Sequence, residues 1–180
     1  MAAVLGLDDA KVIEICAQSS SYGIVEAVNF NSPGQVVIAG KKEAVINACD
    51  EMKEAGAKRA LVLPVSVPSH CSLMTDAAEE FKTSVDTVNF QLGNVRVIHN
   101  VDAKIANDTN QIKSNLVEQL HKPVLWTSSV EKMKKLGVEK LIEVGPGKVL
   151  TGLTRRIDKS LSGTAIIDTV TLKSTIEEIS

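Results

Sequence analysis

The first 65 residues alternate short apolar runs with helical stripes in an order that leaves few folds open. "MAAVLGL" (1–7) reads as a strand. In "DDAKVIEICAQ", Asp8 is a good N-cap, and Val12, Ile13 and Cys16 form an apolar stripe at helical spacing. "IVEAVNFN" (24–31) and "QVVIAG" (35–40) read as two arms of a hairpin. Between them stands a Ser-Pro-Gly turn, in which Pro33 presets φ and Gly34 is free to take a positive one. From Lys42 to Gly56, Val45, Cys49 and Met52 recur at helical spacing, and Gly56 is a natural C-terminal stop. "KRALVLPV" (58–65) closes the series as a strand. The order β-α-β-β-α-β predicts a ferredoxin-like subdomain over residues 1–65.

Past "SVPSHC" the rhythm changes. Helices are expected from Met74 to Val88, over 110–120, after Ser128 and over 148–157. Ser128 and Glu131 have the spacing of a capping box for the third of these. Strands are expected at 95–101, 140–144 and 164–168. Strands alternating with helices imply a parallel sheet, so residues 66–180 read as part of an α/β domain. Three strands make a poor sheet alone. The apolar strand that opens the chain has no leader before it, so the sequence is expected to begin mid-domain.

Composition removes several functions. A net charge of −2 and 3% aromatic residues argue against nucleic-acid binding. No run approaches the roughly 18 apolar residues of a membrane span. Cys16, Cys49 and Cys71 are too scattered for a disulfide framework and contain no CxxC pair, which fits a reducing, cytoplasmic setting. His70, His99 and His121 lie on three different expected elements with no short-range pairing, so no metal site is expected.

Four stretches could carry chemistry. His70 follows Pro68, whose ring restricts Val67 to extended geometry, at the point where a strand gives way to a helix. An imidazole there can take and return a proton near neutral pH. Cys71 is next to it, but neighbours on an extended segment point to opposite sides, so Cys71 reads as a buried thiol rather than a partner. Asn29 and Asn31, two apart on a strand, share a face and suit a ligand rich in amides and hydroxyls; turn chemistry is the plainer reading. "EVGPG" before a helix has the outline of a phosphate-cradling loop, but it is neither GxGxxG nor GxxxxGK[ST], so a tight strand-to-helix turn is the stronger reading. The pairs Lys58–Arg59 and Arg155–Arg156 are either solvated faces or a patch for an acidic partner.

"VNFNSPGQVVIAG", "AGAKRALVLPVSVPSHC" and "EVGPGKVLTGLTRRI" together resemble the C-terminal portion of the bacterial malonyl-CoA:acyl carrier protein transacylases of fatty acid biosynthesis. The resemblance implies a ferredoxin-like insertion followed by part of an α/β-hydrolase-like domain. In that family a serine on a GxSxG elbow attacks the malonyl thioester, and the acyl-serine passes to the phosphopantetheine thiol of the carrier. By this resemblance His70 is the base and Gln119 orients it through its main-chain carbonyl. Asn29, Asn31 and Ser69 face the substrate, malonyl-CoA, while Lys58, Arg59, Arg155 and Arg156 meet the acidic acyl carrier protein. No cofactor is implied beyond the substrate. No G-x-S-x-G occurs anywhere in these 180 residues. The chain is therefore expected to be inactive alone and to need a missing N-terminal part as partner. The alternative is a non-catalytic ferredoxin-like module that binds a carrier protein or a small ligand.

Overall fold

The computed structural model describes residues 1–179. Contact density divides the chain into two compact units, Met1–Ser129 and the residues from Val130 onward. The boundary at 65/66 expected from the sequence is a different division, and it falls inside the first unit.

The first unit opens with β1 (Ala2–Leu5), α1 (Asp9–Gln18), β2 (Val25–Ser32), β3 (Gln35–Gly40), α2 (Lys42–Glu54) and β4 (Arg59–Val62). The strands form one antiparallel sheet in the order β2-β3-β1-β4. This is the ferredoxin-like arrangement, with each helix crossing over one intervening strand. Asp8 caps α1 by accepting from Lys11 N at 2.9 Å. Gly34 turns the hairpin at φ +72°, and Gly56 stops α2 at φ +97°.

The main core lies between the helices and one sheet face, where Val4, Val36 and Ile38 meet Val12, Ile15, Val45 and Met52. The other face has its own cluster of Val28, Val37, Ala39 and Cys71. β3 therefore buries both of its faces, as a central strand must. The strand expected at 58–65 stops at Val62, two residues before Pro64.

β2 departs from simple alternation. Register shifts between Ala27 and Asn29, and again between Phe30 and Ser32, mark two bulges. As a result Ala27 and Phe30, three apart, both pack on the helix-side core, while Val28 faces the other cluster. The spacing of two therefore does not by itself set Asn29 and Asn31 on one face, because Asn31 stands at the second bulge.

The remainder of the first unit is a 3-10 turn at Ser72–Met74, α3 (Thr75–Thr87), β5 (Ile98–His99), β6 (Lys104–Ile105), α4 (Thr109–Glu118) and the start of α5 (Trp126–Lys135). The strand expected at 95–101 shrinks to two residues and pairs antiparallel with β6. A turn explains this: Ala103 takes φ +54°, its N–H bonds to His99 O at 2.9 Å, and Lys104 N bonds to Asp102 Oδ1. Val95 and Val97 are 81% and 57% exposed, so the apolar alternation there has no core to face. α5 begins at Trp126, which puts Ser128 inside the helix; the expected capping box is not the start of this element.

In the second unit β7 (Lys140–Val144) and β8 (Ser162–Ile166) pair in parallel, joined through α6 (Val149–Ile157) and followed by α7 (Thr169–Ile179). Leu153, Thr154, Leu161 and Thr175 are buried there. Gly163 lets α6 approach β8, since a Cβ at that position would lie 3.3 Å from Thr151 Cγ2. α7 was not expected from the sequence; Asp168 caps it by accepting from Thr171 N at 2.8 Å.

Candidate active site

After β4 the chain runs past Pro64 and Pro68 into a turn at Ser69–His70. His70 sits at φ +64°, one of two non-glycine residues with a positive φ among the described residues. This region is sparsely populated for L residues and persists only where the surroundings impose it. The extended segment expected here is thus a turn.

What imposes it is the end of α4. His70 N donates to Leu120 O at 3.0 Å, and the ring Nδ1 lies 2.5 Å from Gln119 O. Gln119 is the C-cap of α4, so both carbonyls belong to the electronegative end of a helix. A carbonyl oxygen can only accept, so Nδ1 is a protonated nitrogen, and in the neutral ring Nε2 keeps the lone pair. The ring is half-buried.

Four residues after Leu120 the same segment grips the sheet. Val124 N donates to Val28 O at 2.8 Å, and Phe30 N donates to Val124 O at 2.9 Å, forming a parallel bridge opposite Asn29. Thr127 Oγ1 adds a bond to Phe30 O at 3.1 Å. Residues 119–127 thus hold His70 at one end and the β2 edge, with Asn29, at the other. Ser69 is beside His70 in the turn, its N–H bonded to Val67 O at 2.9 Å.

Cys71 is fully buried against the second sheet face. Burial holds its thiol above the ordinary value, and burial pushes Cys16 up to about 12, with Cys49 and Glu26 adding to it. These sulfurs stay protonated near neutral pH, which removes a Cys71–His70 nucleophile pair. Among the described residues no three His, Cys, Asp or Glu side chains converge as a metal site would need.

The basic pairs belong to different units. Lys58 and Arg59 are exposed where α2 leads into β4, with Lys58 N bonded to Leu5 O at 2.8 Å. Arg155 and Arg156 are exposed in the last turn of α6, in the second unit.

The loop at "EVGPG" is filled from within. Glu143 accepts from Leu150 N at 3.3 Å and from Thr151 N and Oγ1, each at 2.7 Å. Burial raises this carboxyl, and the bonds from Thr151 and Leu150 outweigh it and hold it below its ordinary value. A carboxylate already occupies the amides a phosphate would use, so the turn reading holds. Glu143→Ala is expected to cost about 1 kcal/mol, as loss of a cap does, in urea denaturation followed at the second unit. Unchanged stability would show the bonds to be idle.

Two features of the site had no signal in the sequence. One is the Leu120 carbonyl. The other is Glu26 on β2, which accepts from Ser72 N at 2.8 Å and Ser72 Oγ at 2.6 Å across 46 positions.

No protein-family model matches the chain. The malonyl CoA-acyl carrier protein transacylase of Salmonella typhimurium is 51% identical over 178 residues, which is 99% of this chain and 58% of the relative. The chain is homologous to part of the malonyl CoA-acyl carrier protein transacylases. The transacylase of Haemophilus influenzae is 49% identical over 178 residues, again 99% of this chain and 57% of the relative. Among solved structures, an acyl carrier protein S-malonyltransferase from Vibrio cholerae matches with a TM-score of 0.94 at 52% identity, covering 97% of this chain and 57% of that one. A malonyl-transacylase solved in complex with a type II PKS acyl-carrier protein matches with a TM-score of 0.96 at 48% identity, covering 98% and 57%. The chain spans a little over half the length of the transacylases it matches, consistent with a C-terminal portion of them. Among the described residues no helix is long and apolar enough to cross a membrane.

Proposed function

We propose that this chain supplies the general base of malonyl transfer from malonyl-CoA to the phosphopantetheine thiol of acyl carrier protein, in cytoplasmic fatty acid biosynthesis. The observation that carries the reading is the 2.5 Å contact between His70 Nδ1 and the Gln119 carbonyl. With its proton held on Nδ1, the ring presents Nε2 to a hydroxyl nucleophile.

The nucleophile comes from a segment outside this sequence, since no GxSxG elbow is present. Nε2 takes the serine proton as the oxygen attacks the malonyl thioester. The imidazolium then returns the proton to the departing CoA thiolate. In the second half, Nε2 takes the proton of the carrier thiol, which attacks the acyl-serine, and the ring gives that proton back to the serine oxygen. The Gln119 carbonyl is a neutral acceptor at a helix C-terminus, so it stabilises the imidazolium without a second buried charge. Asn29, Asn31 and Ser69 serve the substrate arm. Lys58, Arg59, Arg155 and Arg156 serve the acidic carrier. In this reading residues 1–65 are the ferredoxin-like subdomain, and 66–180 belong to the hydrolase-like domain. The reaction needs no cofactor.

The test is covalent labelling. Incubated alone with labelled malonyl-CoA, the chain forms no stable adduct; mixed with an elbow-bearing segment, the pair acquires label on the elbow serine. A stable adduct on the lone chain would overturn the assignment.

A further inference from the structure

His70 is held on its upstream side by α4, but a turn with a positive φ at a bulky residue needs restraint on both sides. The downstream restraint is Ser72. Both of its donors end on the Glu26 carboxylate, N on one oxygen at 2.8 Å and Oγ on the other at 2.6 Å. Cys71, between His70 and Ser72, is sunk into the cluster with Val28, Val37 and Ala39 and cannot take up slack.

β2 is common to both restraints. Through Glu26 it holds the residue two after the ring. Through Val28 and Phe30 it holds Val124, five residues after the carbonyl that accepts from the ring. The imidazole and its acceptor are therefore referenced to one strand, over a span of five residues, Glu26 to Phe30.

We infer that Glu26 is a positioning residue for His70: by clamping Ser72 it keeps the His70 turn in the geometry that puts Nδ1 on the Gln119 carbonyl. The inference rests on the reading of His70 as the base. The two donors of Ser72 end on different oxygens of one side chain, a geometry that uses both acceptors. A carboxylate has them, a carboxamide has one, and aspartate is a methylene short. Burial alone would raise the Glu26 carboxyl, yet the bonds from Ser72 and Cys71 outweigh it and keep it below its ordinary value, as expected of an acceptor engaged by several donors.

The test uses the 180-residue chain and ¹⁵N spectra of the His70 ring, with amide exchange at Ser72. In the wild type the ring shows Nδ1–H. In Glu26→Ala, at a temperature where the chain is folded, Ser72 exchange speeds up on the order of tenfold or more, and the ring becomes a mixture of tautomers. Glu26→Gln, with one acceptor left, falls between. Ser72→Ala, an exposed site that removes one bond without threatening the fold, shifts the ring in the same direction by less. A merely structural role would lower the melting temperature and leave the ring spectrum of the folded variants unchanged; that result overturns the inference and leaves His70 as the base. A wild-type ring protonated on Nε2 removes the base reading itself, and the inference with it.

Discussion

His70→Ala is expected to lower malonyl transfer by on the order of 10²–10⁴-fold, the usual contribution of a positioned general base. The assay is steady-state transfer to acyl carrier protein by the chain combined with an elbow-bearing segment. The loss should fall in kcat, because the ring acts on protons in flight rather than on the bound thioester. Gln119→Ala is the informative control. The acceptor of the ring proton is the main-chain carbonyl, which the substitution leaves in place, so little activity should be lost. If His70→Ala transfers at the wild-type rate while charge reversal at Arg155 and Arg156 abolishes it, the chain is a docking module and the catalytic assignment is wrong.

Gly40→Ala is expected to be the most damaging single methyl in the first unit. A Cβ at Gly40 would stand 2.1 Å from Ile24 O, 2.6 Å from Val25 Cα and 2.8 Å from Ile24 C. All three are backbone atoms of Ile24 and Val25, where the chain enters β2, so no rotamer change relieves the clash. The close approach is needed there, because Ile24 O also accepts from Lys41 N at 2.8 Å as β3 passes into α2. Separation of β2 from β3 would open both sheet faces, including the cluster that buries Cys71. The cost should be about 3 kcal/mol or more, the upper end for overpacking, read as a lowered midpoint in chemical denaturation. Wild-type stability in Gly40→Ala would mean that the β2–β3 edge yields far more easily than its packing indicates.

The ferredoxin-like part was legible because its signals are local. Alternation in 35–40, the Ser-Pro-Gly turn and the Asp8 and Gly56 caps each act within a few residues. The bulges of β2 were not, because nothing in "VEAVNFNS" says where an extra residue will be absorbed. The strand expected at 95–101 was lost to the Asp102–Ala103 turn, whose left-handed residue is an alanine and gives no warning. α7 could have been read: Asp168 three residues before Thr171 has the spacing of a cap. At the site, His70 stood out by its place after Pro68, while Gln119 came only from the family resemblance. The Glu26–Ser72 bonds, 46 residues apart, depend on the folded sheet and leave no trace in either local segment.

The decisive measurement is of the proton on one ring. In the ¹⁵N spectrum of the wild-type chain at neutral pH, neutral His70 should be protonated on Nδ1, with Nε2 bare. If Nε2 carries the hydrogen instead, the ring cannot accept a proton from a serine on that side, and the account of this chain as the base-bearing part of a transacylase fails.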